Sequence, residues 1–397
     1  MINVGIIGYG KMGAIRHNCV NSMTGMQVAS IYDPDNDDCA GIKAKKIDDI
    51  INDSNIDAVF ICTPNYLNKK LTIKSLLAGK HVFCEKPPAF TAGDVREIKA
   101  IEDTSNRVLM YGFNHRHHES VKAMKEIVDS NQFGKILWMR GRYGKSVDES
   151  YFNTWRAKKE YSGGGILIDQ GIHMLDLFLH LGGLFDELHA SISNLYWNLD
   201  VEDNVFATLV NTTTGVSASL HSTMTQWRHL FSLEVFLEKG YLILNGLKTQ
   251  SNSYGNEILT IAKNRSLPPT ATWDEGKNIE YHIDNSWSSE ITEFLNAICS
   301  GKKIKLGNSD DALKLMSLVD TIYSFKKDYN NDTEFNKLSK EINRRDAQLL
   351  QPMGLEQIYG QPDNFNNKTM NKRNTVYIKS NHNKATDLNA LELTEYK

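Results

Sequence analysis

Four polar side chains recur at helical spacing in an otherwise apolar segment that follows three consecutive glycines at 163–165. They are Asp169, His173, Asp176 and His180. Intervals of four, three and four residues place them on one face of a helix, which we predict over 163–181. An imidazole titrates near neutral pH, so His173 is the candidate general acid or base. Asp169, one turn earlier, is the candidate that orients the substrate or the imidazole.

A metal site is the alternative function of these four side chains, since His and Asp four residues apart in a helix can share a metal ion. No cysteine joins them, and a nicotinamide enzyme that uses a lysine and a histidine needs no metal. Buried polar groups also need partners. We therefore predict a catalytic centre without metal, in which Asp176 and His180 make structural hydrogen bonds.

A complete G-x-G-x-x-G sequence follows the first apolar run of the chain, residues 2–7. The loop consists of Gly8, Tyr9, Gly10, Lys11, Met12 and Gly13. In such a loop the first glycine permits a tight turn, the second lets a pyrophosphate approach the backbone, and the third lets the next helix pack closely. The helix N-terminus presents free N–H groups to the phosphates. We therefore predict that these six residues bind a dinucleotide.

An acidic residue directly follows the second predicted strand. Asp33 lies twenty residues beyond Gly13, where a carboxylate accepts hydrogen bonds from the adenosine ribose hydroxyls. No Arg or Lys follows before Lys43, so the sequence offers no evident partner for a 2′-phosphate. It therefore favours NAD over NADP as the cofactor.

Polar residues also follow the third and fourth predicted strands, whose carboxyl ends line the cofactor crevice of a parallel sheet. Thr63, Pro64 and Asn65 come after the third strand, and Glu85 and Lys86 end the fourth, before two prolines. All five are predicted cofactor contacts. Lys86 is also predicted to lie between the nicotinamide and the substrate.

Three further residues are candidate substrate contacts. Arg116 lies where the fifth strand leaves the first domain, and Trp155 and Arg156 precede the three glycines. An aromatic ring beside a guanidinium suits a sugar ring or a nucleotide, and Arg116 suits a polyol or a phosphate. The predicted substrate-binding residues are Lys86, Arg116, Trp155, Arg156, Asp169 and His173.

The first part of the chain alternates strands with helices, which predicts a doubly wound parallel sheet. The predicted strands are 2–7, 27–32, 57–62, 81–84 and 108–112, with a helix at 66–78 that ends at Gly79. We assign residues 1–117 to a Rossmann domain that binds the cofactor.

After a linking helix at 119–130 the pattern changes to runs of period two, which predict a mostly antiparallel sheet. The runs are 135–144, 187–197, 203–211, 215–224, 230–238 and 240–245, and two further helices are predicted at 286–300 and 309–327. We assign residues 118–330 to an α/β domain for substrate binding and oligomerisation. Residues 331–397 are a polar extension that we predict to be partly disordered.

Composition excludes several classes of partner. The chain has 397 residues, 41% hydrophobic and 23% charged, with a net charge of −3, which argues against a nucleic acid or an anionic membrane as partner. No apolar run approaches the roughly 20 residues of a membrane span, and no export signal is evident. The five cysteines are widely spaced without a C-x-x-C, which predicts a reduced cytoplasmic protein.

The combined motifs resemble the glucose–fructose oxidoreductase/inositol dehydrogenase/MocA (Gfo/Idh/MocA) family over residues 1–330. The motifs are 8–13, Thr63-Pro64-Asn65, Glu85-Lys86-Pro87, and 163–165 with Asp169, His173 and Asp176. The resemblance implies a Rossmann domain followed by an α/β domain with an open, largely antiparallel sheet. It also implies that Lys86 is the family's lysine, and that Asp169 and His173 are its carboxylate and histidine. Arg116 is similar to the second arginine of the family's Phe-x-Arg-Arg segment, and His115 replaces the first.

These residues predict an oxidoreductase that transfers a hydride between NAD and a secondary alcohol or ketone of a sugar, a polyol or a sugar nucleotide. One alternative is an NAD-dependent glycosidase that retains its NAD and breaks a glycosidic bond through transient oxidation. Another is a non-catalytic NAD-sensing regulator, against which the presence of both Lys86 and His173 argues. The second face of the antiparallel sheet predicts a homodimer or homotetramer.

Overall fold

The computed structural model describes residues 1–36, 42–264, 272 and 275–325, which belong to one compact unit, Met1–Lys327. The predicted extension at 331–397 lies outside the described residues. Within the described part of the chain, no helix has the length and apolar character needed to cross a membrane.

The first sheet has five parallel strands in the order β2-β1-β3-β4-β5. They are β1 (Ile2–Ile7), β2 (Met26–Tyr32), β3 (Ala58–Ile61), β4 (His81–Glu85) and β5 (Leu109–Gly112). A single bridge between Ile31 and Lys43 extends the sheet beyond β2. Every residue of β3 and β5 is buried, because helices cover both faces of a parallel sheet. The predicted doubly wound sheet is confirmed.

Helices connect these strands. They are α1 (Lys11–Asn21), α2 (Ile47–Ile51), α3 (Asn68–Leu77) and α4 (Ala92–Ser105). Thr91 caps α4 by accepting a hydrogen bond from Asp94 N at 3.1 Å, as Ser and Thr commonly do. Gly79, in the left-handed region with φ of 75°, follows the end of α3 as predicted.

The second sheet has eight strands in the order β13-β12-β11-β10-β6-β9-β8-β7. They are β6 (Ile136–Ser146), β7 (Glu187–Ser193), β8 (Asn204–Val210), β9 (Ser217–Thr223), β10 (Thr225–Leu237), β11 (Gly240–Asn245), β12 (Glu257–Lys263) and β13 (Lys277–Tyr281). All neighbours are antiparallel except β6 and β9. The first six match predicted runs, whereas β12 and β13 were not predicted. Strand β13 is short, polar and largely exposed, and its two apolar residues, Ile279 and Tyr281, are too few to mark a half-buried strand.

Five helices complete the described residues. They are α5 (Glu119–Asp129), α6 (Lys159–Ser162), α7 (Ile172–Gly182), α8 (Ser286–Ser300) and α9 (Ser309–Ser324). Helix α7 lies on one face of the second sheet, where a side chain at Gly141 would overlap Met174. Helix α8 instead returns to the first sheet, where Phe294 packs against Phe60 and Phe83 with ring centroids 5.6 and 5.8 Å away.

The helix predicted over 163–181 begins later than expected. Gly163, with φ of 82°, ends α6, and a five-residue π-helical turn, Leu167–Gly171, precedes α7. The backbone N–H groups of Gly165 and Leu167 donate to the carboxylate of Glu202 at 2.9 and 3.1 Å. The glycines therefore connect two helices, and the π turn changes the direction in which the preceding side chains point.

Candidate active site

The end of β4 and the π turn before α7 bring Lys86 and Asp169 together. Lys86 Nζ donates to the main-chain oxygen of Asp169 and lies 3.6 Å from its carboxylate. Burial is the main cause that lowers the pKa of Lys86, and Arg156 lowers it further. The ammonium group is therefore held in a tight, partly desolvated position at the carboxyl edge of the first sheet.

Three cations surround the carboxylate of Asp169. Lys145 Nζ donates to Oδ2 at 2.9 Å, and Arg156 Nε lies 3.7 Å from Oδ1, the oxygen that Lys86 also approaches. Burial alone would raise the pKa of Asp169, but the charges of Lys145, Lys86 and Arg156 outweigh it and hold the pKa well below its usual range. Asp169 is therefore ionised at neutral pH.

His173 lies one turn further along and is buried. Its ring stacks on that of His115, with centroids 3.9 Å apart and planes 15° apart. Its Nδ1 is enclosed and has no hydrogen-bond partner among the described residues. Burial, followed by the charge of Lys86, lowers the pKa of His173 well below its usual value, so the ring is neutral at pH 7.

Of the residues around His173, Tyr143 was not predicted as part of the site, whereas His115 was noted as the residue that replaces the family's first arginine. His115 shares hydrogen bonds with Tyr143 at 2.9 Å and with the Asn114 side chain at 3.1 Å. Lys145 was also missed, although it belongs to the strand β6. The alternation along β6 could have placed Tyr143 and Lys145 on the face toward α7, but their partners are far away in sequence.

The rest of the predicted polar helix face points elsewhere. Asp176 accepts a bidentate pair from Arg116, with distances of 2.8 and 2.7 Å, and Arg116 also donates to Asp311 at 2.7 Å. Asp176 therefore makes the structural contacts predicted for it. His180 lies with Arg116 at a separate cavity of about 320 Å³.

The structure does not bring Arg116 to the substrate site, in contrast to the sequence-based expectation. Its guanidinium is buried and occupied by two carboxylates that join α7 to α9. Trp155 and Arg156 do lie near Asp169, and the guanidinium carbon of Arg156 is 4.4 Å from the Trp155 ring centroid. Trp155 and Arg156 therefore lie beside Asp169, the carboxylate that Lys86 also contacts.

The glycine loop fits the phosphates of a dinucleotide. Gly10 is the N-cap of α1, where no side chain caps the helix and no acidic residue lies in the first turn. A Cβ at Gly10 would meet nothing within 4 Å, whereas one at Gly13 would lie 2.1 Å from Gly8 O. The first helical N–H groups are therefore open to an anion, which a helix N-terminus favours. Tyr9, Lys11 and Met12 belong to the same loop and helix start.

Asp33 lies at the end of β2, beside the loop. Its Oδ2 accepts from Tyr9 N at 2.6 Å, and its Oδ1 accepts from Asp35 N and Asn36 N at 2.9 and 3.0 Å. A cavity of about 390 Å³ adjoins it, lined by Tyr32, Asp33, Pro34, Lys43, Ala44 and Lys45. Lys43 and Lys45 therefore share this cavity with Asp33, although they lie ten and twelve residues further along the chain.

The other predicted cofactor residues shape the crevice through contacts within the protein. Thr63 Oγ1 donates to Asn68 at 3.1 Å, and Asn65 Nδ2 donates to the Ser162 main-chain oxygen at 2.7 Å. Pro64 precedes the short 3₁₀ turn Asn65–Leu67.

Glu85 points away from the crevice, in contrast to its prediction as a cofactor contact. Its carboxylate lies 2.6 Å from the guanidinium of Arg16, which is also 2.7 Å from Glu290. All three side chains are buried, so Glu85 fixes α1 and α8 beside β4. No group of three or more His, Cys, Asp or Glu side chains in the described part of the chain is arranged to hold a metal ion.

Two family models match the chain. An oxidoreductase family with an NAD-binding Rossmann fold matches residues 2–113, and the GFO/IDH/MocA C-terminal domain matches residues 121–243. Together they cover more than half of the chain, and they include all of the first sheet and most of the second, up to β11.

Named relatives are sugar enzymes. Levoglucosan dehydrogenase of Pseudarthrobacter phenanthrenivorans is 30% identical over 48% of this chain and 54% of its own length. The 2,7-anhydro-N-acetylneuraminate hydratase of Escherichia coli is 28% identical over 62% of this chain and 66% of its own. The chain therefore spans between about half and two thirds of these curated relatives. A levoglucosan dehydrogenase structure in complex with NADH superposes with a TM-score of 0.71 at 22% identity, covering 82% of this chain and 96% of that one.

Proposed function

This chain belongs to the Gfo/Idh/MocA oxidoreductase family, and on that basis we propose that it transfers a hydride between NAD and a secondary alcohol or ketone of a sugar, a polyol or a sugar nucleotide. The observation that supports this most directly is the convergence of Lys86, Asp169 and His173 at the edge of the sheet that holds the glycine loop. We assign cofactor binding to residues 1–117 and substrate binding to residues 118–330.

NAD, when bound, supplies the acceptor or donor of the hydride. The loop at 8–13 and Asp33 would hold its pyrophosphate and ribose. In the direction of oxidation, His173 takes the proton of the substrate hydroxyl, because its ring is neutral and can accept it. We assign the transfer to Nε2, since Nδ1 is enclosed.

Lys86 donates a hydrogen bond to the same substrate oxygen and stabilises the negative charge that develops there. Its contact with the main chain of Asp169 fixes the ammonium group before substrate binds. Asp169 is a positioning residue in this scheme, since its ionised carboxylate holds Lys86 and Lys145 near one another.

Formation of NADH at 340 nm tests the proposal. Purified protein is assayed with NAD and NADP against inositols, hexoses, N-acetylated sugars and UDP-sugars. We expect turnover with one of these classes, lost in Lys86→Ala and His173→Ala. NADH binding without turnover on any class would contradict the proposed reaction, and the absence of NADH binding would contradict the assignment of the loop.

We also propose that the protein is a homodimer or homotetramer that associates through the open face of the second sheet. Trp138 and Phe236 stack there with ring centroids 5.3 Å apart, and Phe206 is 54% exposed. The mass from light scattering after size exclusion tests this, and a monomer would contradict it.

Cys19, Cys62, Cys84 and Cys299 are free, which supports a reducing, cytoplasmic location.

A further inference from the structure

The candidate active site holds more positive than negative charge. Lys86, Lys145 and Arg156 all face the single carboxylate of Asp169. Within the described residues, each of these cations has Asp169 as its only ion-pair partner. One carboxylate balances one cation, so the site retains two surplus positive charges.

Neighbouring buried carboxylates do not balance this charge. Glu85 is paired with Arg16. Glu202 accepts from two backbone N–H groups and from the Tyr323 hydroxyl at 2.9 Å. Both carboxylates point into the protein, so they do not offset the excess positive charge beside Asp169.

Partly buried like charges oppose one another unless an anion joins them. The side chains of Lys86, Lys145 and Asp169 are 18%, 21% and 14% exposed. Arg156 and Lys145 both lower the pKa of Lys86, after burial. A ligand anion would relieve this repulsion.

Arg156 is the group best placed to receive that anion. Its side chain is 39% exposed, the largest fraction among the four, and its guanidinium makes no hydrogen bond within the described residues. A guanidinium presents paired donors that match a carboxylate or a phosphate. The Trp155 ring beside it offers an apolar surface for a sugar.

We propose that the substrate is an anionic sugar, carrying a carboxylate or a phosphate that binds Arg156 with support from Lys145. This inference rests on the proposed function, since it names the substrate class of the same site. Arg156 and Lys145 then set specificity, whereas Lys86 and His173 act at the reacting hydroxyl.

Calorimetric titration of the NADH-loaded protein tests the proposal without requiring turnover. The probes are glucose, galactose and mannose, each with its uronate and its 6-phosphate. We expect an anionic member of at least one set to bind roughly ten- to a hundredfold more tightly than the neutral sugar, the effect of one charge-assisted hydrogen bond. The carboxylate and phosphate arms identify which anion is preferred, and added salt should reduce the preference.

Variants locate the effect. Arg156→Gln should abolish the preference, and Arg156→Lys should retain part of it. Arg142→Gln is the matched control, because Arg142 is an exposed arginine of β6, the strand that carries Lys145. This variant should keep the full preference.

Two results would overturn the inference. The first is that the neutral sugar of every set binds as tightly as its uronate and its 6-phosphate, or that no anionic sugar binds at all. The other is a preference that persists in Arg156→Gln. Failure of the proposed function is distinct, since it would appear as charge-dependent binding with no NADH formed when the same sugars are assayed with NAD.

Discussion

Asp169 and His173 are one helical turn apart, yet their surroundings shift their charge states in opposite ways. Three cations keep the buried Asp169 ionised, whereas burial beside Lys86 and against His115 keeps His173 neutral. Both pKa values are lowered, which leaves a charged carboxylate beside a neutral imidazole at neutral pH. The neutral imidazole is the group able to accept a proton, and the carboxylate is held by its cationic partners.

Substitution of the two reacting side chains should reduce turnover without loss of cofactor. We expect His173→Ala and Lys86→Ala each to lower kcat by about 10²-fold or more, because each removes a group that contacts the substrate oxygen. Steady-state kinetics and NADH fluorescence titration measure the two effects. His180→Gln is the control on the same helix, since His180 lies outside the site, and a loss of equal size there would show that the helix as a whole had been disturbed.

The pH dependence of kcat/KM for oxidation should differ from that of ordinary His and Lys side chains. His173 has a pKa well below 6.5, so its base form persists and no loss of activity is expected as pH falls from 8 to 6. Burial lowers the pKa of Lys86 below 10.5. As the pH rises, Lys86 should therefore lose its proton, and the enzyme its activity, before pH 10.5 is reached. In Lys86→Arg the alkaline fall should disappear, and an unchanged fall would assign it to another group.

At the scale of elements, periodicity predicted the helix at 163–181 but not the direction of its polar side chains. A regular helix would align all four, whereas the π turn Leu167–Gly171 adds a residue to one turn. Asp169 then faces Lys145, while Asp176 faces Arg116. The sequence shows the spacing, but an inserted residue in a helical turn is stabilised by distant contacts that spacing does not contain.

Two glycines of the same loop should respond differently to alanine. Gly10→Ala adds a methyl group to open space at the mouth of the loop, so we expect an unchanged melting temperature and weaker NADH binding. Gly13→Ala places Cβ 2.1 Å from Gly8 O, so we expect a lower melting temperature even without NADH. Thermal melts with and without NADH separate the effects, and equal responses of the two variants would contradict these assignments.

At the scale of the whole molecule, a buried ion cluster joins distant segments. Arg16 contacts Glu85 and Glu290 at 2.6 and 2.7 Å, and its guanidinium carbon lies 4.4 Å from the Phe83 ring centroid. These contacts connect α1, β4 and α8. Breaking one member of a buried ionic group leaves the others without compensation.

Arg16→Met should therefore destabilise the protein by about 3–5 kcal/mol, since it leaves the buried Glu85 carboxylate unpaired beside Glu290, whose pKa burial raises to about 8. Chemical denaturation measures the free energy of unfolding. Lys122→Met is the control, because it removes the exposed Lys122–Glu119 pair, for which about 0–1 kcal/mol is expected. Adding Glu85→Gln to Arg16→Met should recover part of the loss, and no recovery would argue against unpaired charge as the cause.

The sequence predicted the first sheet well and the site only in part. Buried parallel strands form apolar runs such as Ala58–Ile61, and the glycine loop has a local pattern. The partners of Arg116, by contrast, lie 60 and 195 residues away, and the role of Lys145 depends on a turn in another element. Contacts of this kind follow from tertiary packing, which local pattern does not encode. The catalytic and binding roles of the site residues remain predictions.

The return of α8 to the first sheet has a consequence for synthesis of the chain. Phe60 and Phe83 face Phe294, so part of that side of the sheet stays uncovered until α8 is made. Roughly 210 residues separate Phe83 from Phe294, which at about 5–20 residues per second corresponds to on the order of 10–40 s. During that interval the nascent chain exposes aromatic surface that a chaperone would recognise, and a protein truncated before α8 would keep it exposed and aggregate.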